Sequence, residues 1–260
     1  MSTLGEAKTA VSLGSRILAA QGVLDAFGHL SCRSPERPDR FLIPRSLAPA
    51  LVTPDDVVEL DLAGDLVPPV SGVQLFLERF IHGEIYRRRP DVQAVVHSHA
   101  LPVVPFTVVP DARIRPICHM CGFLLGAPST FDLAAHAGAS TDLLIRNAEH
   151  GRHLAEHLGD ASVVLMRSHG YTVVAARVEE VVYQAIYTMK NCEIELAARA
   201  LGEPAFLSAG EAEACAQTLG AATSRAWELW VRQCPPIDAA GRDWELWSQP
   251  RPPVDATRGG

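Results

Sequence analysis

Residues 94–100 read Ala-Val-Val-His-Ser-His-Ala, an apolar β-type run that ends in two histidines one residue apart. It follows a helical stretch that closes on Arg87-Arg88-Arg89-Pro90. Alternate residues of a strand point to the same face, so His97 and His99 project together from a stiff backbone. Either histidine alone reads as a structural core residue. Two imidazoles buried on one face, however, need partners or must stay neutral, and a shared metal ion answers both needs. A divalent cation requires at least a third ligand. The best candidate is His169, in Val163-Val164-Leu165-Met166-Arg167-Ser168-His169-Gly170, again at the end of an apolar β-type run. Gly170 there marks a tight turn or a close approach of backbone. Three histidines leave coordination positions open for water or substrate, the catalytic rather than the structural pattern.

The chain around these strands has 260 residues, 48% of them hydrophobic, enough to bury one proper core. Net charge is -7, and the one basic run, residues 87–89, sits where a helix C-terminus favours cations. A nucleic-acid partner is therefore excluded. The sequence shows neither a leader-type apolar stretch nor a membrane-span candidate, so a cytoplasmic enzyme is expected. Six scattered cysteines fit reduced thiols. Cys118-His119-Met120-Cys121 has CxxC spacing, but with no second such pair it does not read as a zinc knuckle or redox motif.

Periodicity predicts helices over residues 6–20, 72–89, 148–158, 178–201 and 209–231, with short helical starts at 53–56 and 141–143. It predicts strands or extended segments over 27–33, 41–46, 57–61, 94–99, 103–108, 114–120, 162–167 and 171–175. Several hairpin signals are present, among them Ala63-Gly64-Asp65. The expected fold is α/β: a single αβα domain whose central sheet is mixed and mostly antiparallel, flanked by helices. Residues 1–205 form that domain. Residues 206–260 supply a C-terminal helix and a Pro- and Trp-containing tail, packed on the same domain or on a neighbouring subunit. On the 72–89 helix, Leu77, Phe80, Ile81 and Ile85 form the core face, while Glu78, His82 and Tyr86 share a stripe four residues apart. His82 and Tyr86 read as structural; Glu78 reads as functional.

The order of motifs resembles one family. Gly28-His29-Leu30-Ser31 with Arg33 comes first, then a strand ending at Pro44, then Glu78 ahead of His82 and Tyr86. Arg-Pro-Asp-Val-Gln-Ala-Val-Val-His-Ser-His over 89–99 and Ser168-His169-Gly170 complete it. This is similar to the class II aldolase/adducin family, over roughly residues 6–205. The resemblance implies an αβα fold, one divalent metal ion (Mn, Zn, Fe or Co) held by His97, His99 and His169, and an acid/base role for Glu78. It also implies a homotetramer with active sites at subunit interfaces.

The departures from the family pattern point to the substrate. Where sugar-phosphate aldolases carry two serines before the glutamate, this chain has Phe76 and Leu77. His29 replaces an asparagine, and Arg45 a small threonine-type position. A phosphate cradle is lost; an apolar wall, an arginine and a histidine take its place. Arginine binds carboxylates in a bidentate fork, and an aromatic wall suits a flat ring. His119 falls at or beside the place of a tyrosine that assists protonation from a neighbouring subunit. These changes resemble the branch of metal-dependent decarboxylases of hydroxylated aromatic or pyridine carboxylates, such as the dihydroxyphthalate decarboxylases. The expected reaction is decarboxylation through a metal-stabilised, enolate-like intermediate, with Glu78 and His119 as catalytic residues and His29, Ser31, Arg45, Ser46 and Phe76 binding the substrate. Aldol cleavage of a non-phosphorylated hydroxy-oxo acid is the alternative lyase. A non-enzymatic, adducin-like interaction module is disfavoured because the whole ligand set is present.

Overall fold

The structure is a computed structural model that describes residues 3–127, 129–220 and 223–234. The predicted tail residues 235–260, Trp244 and Trp247 included, lie outside the described residues. In chain order the elements are α1 (Leu4–Ala20), β1 (His29–Arg33), β2 (Arg40–Pro44), β3 (Val57–Asp61), α2 (Arg79–Arg88), β4 (Ala94–Ser98) and α3 (Pro105–Val108). After these come α4 (Ala134–Ala137), α5 (Ala148–Leu158), β5 (Val163–Met166), β6 (Gly170–Ala175), α6 (Val178–Arg199), α7 (Ala209–Gly220) and α8 (Thr223–Gln233).

The six strands form one sheet in the order β3-β2-β1-β4-β6-β5, with every ladder antiparallel. Among the described residues the parallel component of the expected mixed sheet is a single isolated bridge, Phe131 to Met166. The central strands are apolar on both faces because both are covered. Leu30, Val96 and Val173 point into a core shared with α1, α6 and Trp230 of α8. Val95, Val164 and Val174 point to the opposite side, into a core with Ile81 and Ile85 of α2 and Leu154 of α5. His29, Ser31, His97 and Thr172 belong to this second face, since His29 pairs with His97 and Ser31 with Val95 across β1 and β4.

Four expected elements differ, each for a local reason. The helix predicted from residue 72 begins only at Arg79. The Ser46 N–H donates to the Gln74 carbonyl (2.8 Å), and Leu75 and Phe76 pack on the α2-side core instead of continuing the helix. Residues 103–108, expected as a strand, turn into α3, whose first residue is Pro105. The extended segment 114–117 joins no ladder; the Asn191 side chain takes the strand's place, accepting from Ile117 N–H and donating to the Arg115 carbonyl. The helical start expected at 141–143 is irregular, with Leu143 at φ +67. No helix among the described residues is long and apolar enough to cross a membrane.

Candidate active site

β4 ends at Ser98, and one residue later the rings of His97 and His99 meet edge to face, 4.8 Å between centroids. The three-residue turn from β5 to β6 brings His169 up to them. That turn holds Ser168 at φ +54, and a Cβ on Gly170 would collide with the Ser98 carbonyl. Glycine is therefore required where the two hairpin ends cross. The three Nε2 atoms lie 2.9 Å (His97–His99), 2.9 Å (His99–His169) and 3.2 Å (His97–His169) apart. Glu78, at the N-terminus of α2, places Oε2 3.4 Å from both His97 and His169. Its Oε1 accepts the Ile145 N–H at 3.0 Å.

The outward nitrogens fix the inward ones. His169 Nδ1 donates to the Leu143 carbonyl at 2.9 Å, which leaves its Nε2 lone pair facing the group. His97 Nδ1 lies 3.2 Å from Thr172 Oγ1, whose hydroxyl donates onward to the Met166 sulfur. Ser168 and Leu143 are two of the three non-glycine residues at positive φ among the described residues, and both serve His169. Burial holds His97 below the ordinary imidazole range and His99 down to about 3. Burial alone would raise the Glu78 carboxyl; the facing His97 and His169 outweigh it and hold it well below the usual carboxylate range. Burial would lower the His169 imidazole, but the facing Glu78 raises it; with three ring nitrogens and an ionised carboxylate all within 4.8 Å of one another, a proton or a metal cation must sit among them. That donor set fits a divalent metal, and Leu143 and Thr172 stand as the partners that orient two of the imidazoles.

Beside this group opens a cavity of about 450 Å³, in the size range of small-molecule sites. Its lining includes His29, Ser46, Leu75, Phe76, Leu77, Glu78 and His99. The Phe76 ring lies 4.6 Å from that of His29. Three expected contributors stand elsewhere. Arg45 is not part of the lining, and its Nε donates to Asp56 Oδ1 at 2.9 Å. The carboxylate clamp expected of it is thus drawn off by a neighbour eleven residues on. Ser31 is fully buried behind His29 and is not part of this lining. His119 is exposed at the start of a 3-10 turn, His119–Leu124, away from the lining. Cys118 and Cys121, in the same turn, have their sulfurs 3.3 Å apart.

His82 and Tyr86, read from sequence as structural, prove to be buried polar partners of the site. His29 Nδ1 meets His82 Nε2 at 2.6 Å, His82 Nδ1 meets Ser31 Oγ at 2.6 Å, and Ser31 Oγ meets the Tyr86 hydroxyl at 2.7 Å. Burial pushes the His82 imidazole down to about 3, lowers His29 well below its ordinary value and raises Tyr86. The four-residue stripe with Glu78 was the sequence signal for this chain of contacts. The backbone groups of Leu143 and Ile145 carry no such signal.

Residues 10–196 match the model of the class II aldolase and adducin N-terminal domain. The chain is 41% identical over 244 residues to decarboxylase tropJ of Talaromyces stipitatus, covering 85% of this chain and 91% of that protein. It is 33% identical over 195 residues to a 3,4-dihydroxyphthalate decarboxylase of Arthrobacter keyseri, covering 69% and 73%. Among solved structures, an aldolase II superfamily protein of Pseudomonas syringae superposes with TM-score 0.73 at 22% identity, covering 90% of this chain and 94% of that one. L-fuculose 1-phosphate aldolase of Glaciozyma antarctica does so with the same score and identity, covering 90% and 92%. The domain match over most of the chain, the fold and the grouping of its histidines agree: the chain belongs to the class II aldolase and adducin family.

Proposed function

We propose that this chain is a metal-dependent carbon–carbon lyase that decarboxylates a hydroxylated aromatic or pyridine carboxylate or dicarboxylate. The observation that carries the reading is the pocket wall. Leu75, Phe76 and Leu77 border the His97, His99, His169 and Glu78 group, offering apolar surface to a flat ring and, at 76 and 77, no side-chain donor to a phosphate. The decarboxylase names of the two relatives support the same reading. A divalent cation in that group supplies a Lewis acid for the electron pair released as the carbon–carbon bond breaks. Glu78, ionised and held by Ile145 N–H, takes the substrate hydroxyl proton and returns a proton to the ring carbon that loses CO₂. With Arg45 engaged by Asp56, the carboxylate contacts fall to His29 and the exposed Ser46. Phe27 and Leu77 line the mouth and are 67% and 53% exposed, a rim suited to burial under a second subunit that brings in His119.

The test is CO₂ release from metal-reconstituted protein over a panel of ortho-hydroxylated benzene and pyridine dicarboxylates, beside Glu78→Gln and His97→Ala. Release that needs both residues is expected. Metal-loaded protein that releases an aldehyde from a hydroxy-oxo acid, and no CO₂ from the panel, sinks the carboxy-lyase reading.

A further inference from the structure

The buried contacts running from His29 to Tyr86 can place their hydrogens in one direction only. Among the described residues, Ser31 Oγ is the sole partner of the Tyr86 hydroxyl, and Tyr86 is 1% exposed. If His29 donated to His82, then His82 would donate to Ser31 and Ser31 to Tyr86. The phenol hydrogen, or the Ser31 hydrogen were the phenol to donate to the second lone pair of Oγ, would be left buried with no acceptor, which forfeits its full hydration. In the opposite direction every hydrogen finds an acceptor. Tyr86 O–H donates to Ser31, Ser31 O–H to His82 Nδ1, and His82 Nε2–H to His29 Nδ1. His29 then accepts at Nδ1, and its own hydrogen sits on Nε2, a nitrogen with no protein partner among the described residues. His29 itself lines the pocket.

We propose that Tyr86, Ser31 and His82 are positioning residues that lock His29 as a hydrogen-bond donor, its Nε2–H presented to an anionic oxygen of the bound substrate. Phe41, stacked 6.2 Å from the His82 ring, and Phe76, against His29, close the apolar sides of the two imidazoles and hold the wire in register. A base at position 29 is ruled out by the same arrangement, because the lone pair is already spent on His82. The substrate contact rests on the carboxylate reading above; the tautomer does not.

The test is a two-bond ¹H–¹⁵N correlation spectrum of full-length, zinc-loaded protein labelled at histidine, with His29→Gln and His82→Gln to assign the rings. Both rings are expected to carry the hydrogen on Nε2 and a bare Nδ1. Ser31→Ala, which strips His82 Nδ1 of its donor, shifts both rings toward mixed tautomers while the signals of His97, His99 and His169 hold. With a dicarboxylate that is turned over, Ser31→Ala raises KM about tenfold and moves kcat less than about twofold, the size of one lost charge-assisted hydrogen bond. A wild-type His29 with its hydrogen on Nδ1 overturns the proposal. So does a tautomer pattern that neither Ser31→Ala nor Tyr86→Phe disturbs. An unchanged KM alongside lost tautomers removes the substrate contact. No CO₂ release from any dicarboxylate, with the tautomers as stated, sinks the carboxy-lyase reading and leaves the locked tautomer standing.

Discussion

Nine of the ten histidines fall into two clusters that use the same side chain in opposite ways. At the ends of β4 and the β5–β6 turn, three imidazoles converge nitrogen to nitrogen, with His29 and His82 behind them. Around α5, His150, His153 and His157 project from one helix, and His136 of α4 stacks flat on His153 with ring centroids 4.0 Å apart. There Phe131 stacks on His136, and His157 donates to the Ser129 carbonyl. Yet among the described residues it is Glu78, His97, His99 and His169 that form a group of more than two potential ligands, all with their donor atoms within 4.8 Å of one another. Strand ends and a tight turn carry side chains to a point, and outward hydrogen bonds turn each lone pair inward. A helix spreads its side chains along a face, where rings stack and nitrogens diverge.

The largest effect that sharpens this contrast is His97→Ala. Metal affinity should fall by at least the 100-fold that outer-sphere changes reach, read as metal per chain after dialysis. Glu78→Gln should keep the metal and cut CO₂ release by about 10²- to 10⁴-fold, the span of a lost proton carrier. Thr172→Val, which removes the partner of His97 Nδ1, should weaken metal binding about 10- to 100-fold with the fold intact by circular dichroism. A smaller effect is read from pH. An unfolded chain protonates His82 near 6.5 but the folded one only near 3, so stability is full above about pH 6.5 and falls by about 1.4 kcal/mol per unit as pH drops through that window. The urea midpoint should fall with pH across this window, where the depressed His29, His97 and His99 act in the same direction, and His82→Gln should remove only the His82 share of the slope. Smallest is His136→Ala with His153→Ala, expected to leave metal content unchanged. Loss of metal in that double variant would break the comparison.

Much of the fold was legible because it is written in local periods. The strands at 94–98 and 163–166 and the helix at 178–199 follow apolar spacing that tertiary contacts reinforce. The misses have separate causes. Residues 72–78 have helical spacing but are pulled straight by the Ser46–Gln74 bond and by burial of Leu75 and Phe76. Residues 103–108 have strand composition, but Pro105 inside them removes a backbone donor and starts a helical turn.

The sequence by itself determined the donor set: two histidines on one strand face, a third in a turn before glycine, a glutamate ahead of a helix, and an apolar wall at 76 and 77. These are chemical identities at short spacing, and short spacing survives folding. Tertiary structure alone decided how they are held. It handed Arg45 to Asp56, gave His169 the carbonyl of Leu143, tied Glu78 to Ile145, and ran His29 through His82 and Ser31 to Tyr86. Each of those links joins residues 11 to 67 positions apart. It depends on which strands neighbour one another and where α2 lies across them, which no local period encodes.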